Sequence, residues 1–195
     1  MYKNLVFLLS TVALSLGVAA SPLVSRGDLC AGETTVSETY IGANKDVKLE
    51  QISCAAGLNS RALEARQTNN GTNVCGANLL NYKHVLGATH CFTPSGGGPD
   101  PNDCHVIADA LRFEGANTGA LFQIANGTSG NVVTLTYHSC ESFFVNQDLG
   151  PLVYCRDDWA AVIDFVAPNC QATQNAHGGL CLASDQRWFI QVQHA

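Results

Sequence analysis

The sequence predicts an α+β fold: a small disulfide-bonded domain whose mostly antiparallel sheet carries two helices on one face, in the order α-β-β-(β)-α-β-β. Three observations predict it. Residues 106–111 and 159–166 hold apolar side chains at helical spacing. Residues 120–124, 132–137 and 188–193 read as strands, paired through short connections that favour antiparallel neighbours. Cysteines at 140, 155 and 170 punctuate a strand, a turn region and a helix in succession, the pattern of layers tied together in an exported domain.

The chain opens with Lys3, an apolar run over residues 5–18 and the small residues Ala19 and Ala20 before Ser21-Pro22. That is a secretory signal peptide over residues 1–20, cut after Ala20. The run is shorter than the roughly 20 apolar residues that span a bilayer, and no later stretch approaches that length. A secreted, extracellular protein without a membrane anchor is the expectation.

All nine cysteines (30, 54, 75, 91, 104, 140, 155, 170 and 181) follow the signal, which predicts a disulfide framework. Zinc sites want close pairs such as C-x-x-C, and the shortest spacing here is the 11 residues from Cys170 to Cys181, so neither metal nor cofactor is expected. Local spacing predicts Cys30–Cys54, Cys91–Cys104, Cys140–Cys155 and Cys170–Cys181, with Cys75 left over. The formal charge is −6, and loss of Lys3 with the signal makes it −7. Such a chain lacks the basic patch that nucleic acids and anionic membranes require. The expected partner is an extracellular protein or a glycan; monomer and dimer stay open.

Residues 21–66 read as an N-terminal hairpin or pro-segment. Val36, Glu38 and Tyr40 alternate with polar residues, as do Val47 and Leu49, around Gly42-Ala43-Asn44, and a Cys30–Cys54 bridge would close the pair. An isolated hairpin is marginal, so it needs the main domain to stay folded. Leu63-Glu64-Ala65-Arg66 resembles an L-x-A-R processing site, which would release a chain beginning at Gln67; an uncut helical turn is the competing reading. Residues 67–90 form a linker and lead-in, with a glycosylation sequon at Asn70.

The cysteine-rich domain spans residues 91–195. A Gly/Pro loop follows Cys91, then Asn102 or Asp103 caps a helix whose stripe is Val106, Ile107, Ala110 and Leu111 and which Gly115 stops. Two strands flank a second sequon at Asn126, and residues 142–145 supply a possible third. Asp157 or Asp158 caps the second helix, with Trp159, Val162, Ile163 and Val166 at i, i+3, i+4 and i+7 and Pro168 at its end. Residues 178–182 and 188–193 close the chain as strands. The expected core is Ile107, Leu111, Phe122, Val133, Leu135, Trp159, Ile163, Val166, Ile190 and Val192.

The D-C-x-x-I of residues 103–107, the Y-x-x-C of residues 137–140, the amphipathic helix before Cys170 and the closing G-x-C…W-x-x-x-x-x-H of residues 179–194 together resemble the fungal secreted effector domain of the necrosis-inducing extracellular protein type. That family in turn resembles killer toxins with an α/β sandwich. The likeness covers about residues 91–195. Cys155, Cys181 and the N-terminal Cys30, Cys54 and Cys75 depart from the pattern. It implies a secreted, non-enzymatic effector or toxin that acts by binding a host, competitor or cell-wall component.

No catalytic residue emerges from the sequence. The histidines (84, 90, 105, 138, 177 and 194) show no metal-ligand spacing, there is no G-x-S-x-G, and His105 with Asp109 is one turn of any solvated helix. A small hydrolase would have to draw paired carboxylates from Asp100, Asp103, Asp109, Glu114, Glu141, Asp148, Asp157, Asp158, Asp164 and Asp185. A glycan-binding module would need Trp159 and Trp188 as stacking platforms, yet both fall on core-facing stripes. The binding site is therefore unknown at this level.

Overall fold

A computed structural model describes residues 30, 32–54, 72–75, 89–93, 97–124, 131–148, 150–183 and 185–195. Among the described residues ten strands form two sheets. The larger has β1 (Glu33–Ile41), β2 (Val47–Cys54), β4 (Thr89–Cys91), β6 (Val132–Tyr137), β7 (Cys140–Asn146), β9 (Gly178–Leu182) and β10 (Trp188–His194), in the order β1-β2-β6-β7-β10-β9-β4 and antiparallel throughout. The smaller joins β3 (Thr72–Asn73), β8 (Leu152–Cys155) and β5 (Leu121–Ile124) in the order β3-β8-β5, with β3 and β8 parallel. Two helices, α1 (Pro101–Asn117) and α2 (Arg156–Asn169), pack against one another. The α+β class thus stands, with the elements after Cys91 running α-β-β-β-β-α-β-β; β8 is a strand that the sequence pattern did not separate from its turn region.

Each helix follows from its apolar stripe, with boundaries set by other residues than expected. Asp100, not Asn102 or Asp103, caps α1, its carboxylate accepting from the Asn102 N–H at 2.9 Å. Gly115 lies inside α1, which runs on to Thr118. Space explains the glycine: a Cβ there would sit 3.2 Å from the Asp157 carboxylate on α2. Helix α2 starts after Cys155, with Asp157 and Asp158 in its first turn as complements to the helix dipole, and Pro168 sits in its last turn.

The main core lies between the sheets and helices. Phe144 is its centre, with the rings of Trp188, Tyr154, Trp159 and Phe122 at 5.3, 5.0, 5.9 and 6.3 Å. All ten expected core residues belong to it, Phe122 being only partly buried. On the opposite face of the large sheet a second cluster gathers Ile52, Val132, Phe143, Val145 and Phe189 beside the Cys30–Cys54 bridge. Strand β2 pairs directly with β6, so the N-terminal hairpin belongs to the same sheet as residues 132–194. Strands β5 and β6, adjacent in sequence, do not pair with each other: β5 pairs with β8 and β6 with β2 and β7.

Four disulfides form: Cys30–Cys54, Cys75–Cys155, Cys91–Cys170 and Cys104–Cys140. Only the first obeys the local-spacing expectation. Cys91–Cys104, Cys140–Cys155 and Cys170–Cys181 are overturned, because sheet order rather than chain distance decides which sulfurs meet. Strand β4 lies beside β9, against which α2 packs, so Cys91 reaches the end of that helix. Gly179 makes the approach possible, since a Cβ there would stand 2.6 Å from the Cys170 sulfur.

The cysteine left over is Cys181, not Cys75. It is buried, and burial pushes its thiol up to about 11. Because the folded value lies above that of an exposed thiol, the associated stability is complete below about pH 8.5 and declines as pH rises toward 11. Native protein at pH 7.5 should therefore resist maleimide, while denatured, unreduced protein should take up one equivalent. Fast labelling of the native state would refute this.

Residues 1–29, 55–71, 76–88 and 125–130, which include Ala20, Arg66, Asn70, His84 and Asn126, fall outside the described residues.

Candidate functional site

A cleft of about 300 Å³ opens between the hairpin, α1, β5, β6 and the start of α2. That is the lower end of the range in which single small ligands bind. Strand β2 supplies Leu49 and Gln51, the end of β1 supplies Ile41, α1 supplies Leu111 and Glu114, and the facing wall is Phe122, Gln123, Val133, Arg156 and Trp159. Most of the lining is apolar, with one acid, one base and two amides set among it. A second, more open groove of about 400 Å³ runs between the 42–46 turn and the α1 flank of Val106, Ala110 and Phe113.

The charged groups of the cleft are held by backbone. Glu114, in the last turn of α1, accepts through Oε1 from the Gly42 N–H at 3.3 Å. Gly42 has φ +92°, and a Cβ there would lie 2.9 Å from Ala110 Cβ, so glycine lets the hairpin turn approach the helix. Arg156, the first residue of α2, donates from Nη1 to the carbonyls of Gly119 and Leu121 at 2.5 and 2.6 Å. Its guanidinium lies 5.4 Å from the Phe122 ring centre, and that ring stacks on Trp159 at 5.6 Å. Burial pulls the Arg156 guanidinium below its ordinary range, while the charge of Glu114 opposes the shift. Trp159 is locked from behind by its Nε1–H donating to Ser142 Oγ at 2.9 Å.

The other candidates from the sequence are spread over the molecule. His105, Asp109, Arg112 and Asp164 form an ion network on the exposed flank joining the two helices. His105 Nδ1 lies 2.8 Å from Asp164, and Arg112 reaches Asp109 at 3.0 Å and Asp164 at 2.5 Å. The hydrogen bond to Asp164 raises the His105 pKa, with the charges of Asp164 and Asp109 adding to it. Asp148 is buried against Arg187, whose Nε donates to it at 2.6 Å. Glu141 accepts from Gln193 at 2.9 Å. Asp158 is buried, Asp157 faces Gly115, and Asp185 meets Arg187 at 3.9 Å. Among the ten acids only Glu114 lines the 300 Å³ cleft.

His90 lies on β4, His177 against the Phe92 ring at 5.8 Å, and His194 at the end of β10. Trp159 and Trp188 are 1% and 4% exposed, which leaves neither face open for a sugar. The one grouping of metal-type ligands among the described residues, Cys75, Cys155 and Asp158, has both sulfurs committed to a disulfide.

The D-C and Y-x-x-C motifs acquire a structural meaning. Asp103 accepts from the Ser139 N–H at 3.1 Å and hydroxyl at 2.7 Å, and the next residue bridges to Cys140. Together they fasten α1 to the β6–β7 turn, where His138 has φ +45°. The Ser139 hydroxyl bond is the first cause that holds the Asp103 carboxyl below its ordinary range, followed by the Ser139 N–H and His138. A depressed carboxylate contributes stability above its unfolded value near 4 and loses it as pH falls further. Asp103→Ala should cost about 1–3 kcal/mol at pH 7 and flatten the acid limb of the stability profile. An unchanged slope between pH 5 and 2 in thermal melts would count against the assignment.

Residues missed at the sequence level are Leu49, Gln51, Glu114 as a cleft residue, Gln123 and Arg156, which come from separate elements with no common spacing. No helix among the described residues is long and apolar enough to cross a membrane. No protein-family model matches the chain, and no curated protein matches it.

Proposed function

We propose that the protein is secreted and acts outside the cell by binding, without catalysis, in the manner of a fungal effector or toxin. Four disulfides support maturation in an oxidising compartment. The observation that carries the binding reading is the cleft, whose Glu114 and Arg156 are anchored on backbone partners between apolar walls. Fixed polar groups in an apolar recess orient a ligand. The glycan-binding reading has lost its tryptophan platform, since both rings are enclosed.

The test is retention of purified protein on intact cell walls and on host or competitor cells, beside a Leu49→Arg variant that fills the cleft from its hairpin wall. Saturable retention by the native chain and loss by the variant, at matched melting temperature, are expected. Steady release of sugar or peptide ends that depended on Glu114 would replace binding with hydrolysis.

A further inference from the structure

We propose that the cleft takes a small zwitterion with an apolar side chain, the class of the free hydrophobic α-amino acids, its carboxylate on Arg156 and its ammonium on Glu114. The proposal rests on the binding reading above and names the chemistry of that site.

Arg156 has five N–H donors. Nη1 serves Gly119 and Leu121, and the remaining donors, on Nη2 and Nε, have no hydrogen-bond partner among the described residues. Among the described residues no carboxylate pairs with this half-buried cation, so a bidentate carboxylate would find its remaining donors unengaged by protein. Glu114 is 8% exposed and spends Oε1 on the Gly42 N–H, which leaves Oε2 to accept. The two charges feel one another across the cleft, yet no ion pair joins them. An acid and a base that line one cleft without forming an ion pair offer a ligand with both charges a partner for each.

The rest of the lining agrees. Leu49, Leu111, Val133 and the Phe122 ring offer an apolar seat, and Gln51 and Gln123 can donate or accept at the rim. A simple carboxylate would satisfy Arg156 but face Glu114, and a simple amine would satisfy Glu114 but face Arg156. Of the three, the zwitterion alone pairs both charges and opposes neither. Loss of a hydrogen bond to a charged group weakens binding by on the order of ten- to a hundredfold, so analogues lacking either charge should be rejected by about that much.

The experiment titrates the full secreted chain with L-leucine and L-phenylalanine, and with 3-phenylpropionate and 2-phenylethylamine, which lack the amine and the acid respectively. Calorimetry gives affinity, and the fluorescence of Trp159 in the cleft wall reports occupancy. The amino acids should bind and both analogues should be weaker by on the order of ten- to a hundredfold. Glu114→Gln keeps an oxygen for Gly42 and removes the charge, so it should weaken L-phenylalanine while tightening 3-phenylpropionate. Misfolding cannot mimic that gain.

Equal binding of either analogue to the native chain, or an unchanged preference in Glu114→Gln, would overturn the zwitterion assignment. Absence of amino-acid binding would overturn it too. If Leu49→Arg still abolished cell-wall retention in that case, the cleft would remain the binding site with another ligand; if it did not, both readings would fall.

Discussion

Replacing Cys104 and Cys140 together by serine should lower secreted yield and melting temperature more than opening Cys91–Cys170. Loop length alone points elsewhere: Cys91–Cys170 closes 79 residues and Cys104–Cys140 only 36, a difference of about 0.7 kcal/mol in the chain-entropy relation. Burial outweighs that. Cys104 and Cys140 are both 0% exposed, so each serine would bring a hydroxyl into the core at a cost of about 1–3 kcal/mol if unpaired, whereas in the other pair only Cys170 is buried and Cys91 is exposed. Added to roughly 2–5 kcal/mol for the bridge itself, the loss is a large part of the ~5–15 kcal/mol that such a domain has. Melting of the C104S/C140S and C91S/C170S pairs, side by side, decides the ranking. A C104S/C140S variant as stable as wild type would remove the bridge from the account of this fold.

Phe144→Ala should come second. Its ring contacts four other aromatic residues from β5, β8, α2 and β10, so truncation opens a void where both sheets and a helix meet. Core Phe→Ala changes cost about 3–5 kcal/mol, more where surroundings cannot collapse, and the tryptophans here are tied by packing and by the Trp159–Ser142 hydrogen bond. Chemical denaturation should show a lower midpoint. A loss below about 1 kcal/mol would mean that the cluster relaxes around the gap.

The helices and most of the core were legible because their signal is local. Ile107, Ala110 and Leu111 announce a buried stripe whatever they pack against, as do Trp159, Val162, Ile163 and Val166. The bridges were not, apart from Cys30–Cys54, because that pair alone closes a hairpin of consecutive strands. Cys75 finds Cys155 through a two-residue parallel pairing of β3 with β8, which no alternation pattern announces. Gly115 read as a stop because glycine lowers helix propensity, while in the fold it serves the approach of Asp157. The cleft was illegible for a related reason. Leu49, Glu114 and Arg156 lie far apart in the chain, and Arg156 carries no motif beyond standing first in a helix.

The disulfide pattern also sets how the chain must acquire its covalent form. Cys30–Cys54 joins neighbours in the sequence, so it can close as soon as the N-terminal part is made. The next three cysteines, 75, 91 and 104, all emerge before any of their native partners. Cys75–Cys155 and Cys91–Cys170 interlock, and Cys104–Cys140 lies within both loops. During synthesis from the N-terminus, pairs such as Cys75–Cys91 or Cys91–Cys104 are therefore within easy reach, and any that form must be undone by thiol–disulfide exchange, a process of seconds to hours. Cys181 arrives last. Its burial on β9 withdraws the ninth sulfur from that exchange once the sheet has closed, so the finished pairing is protected from the one thiol that could still attack it.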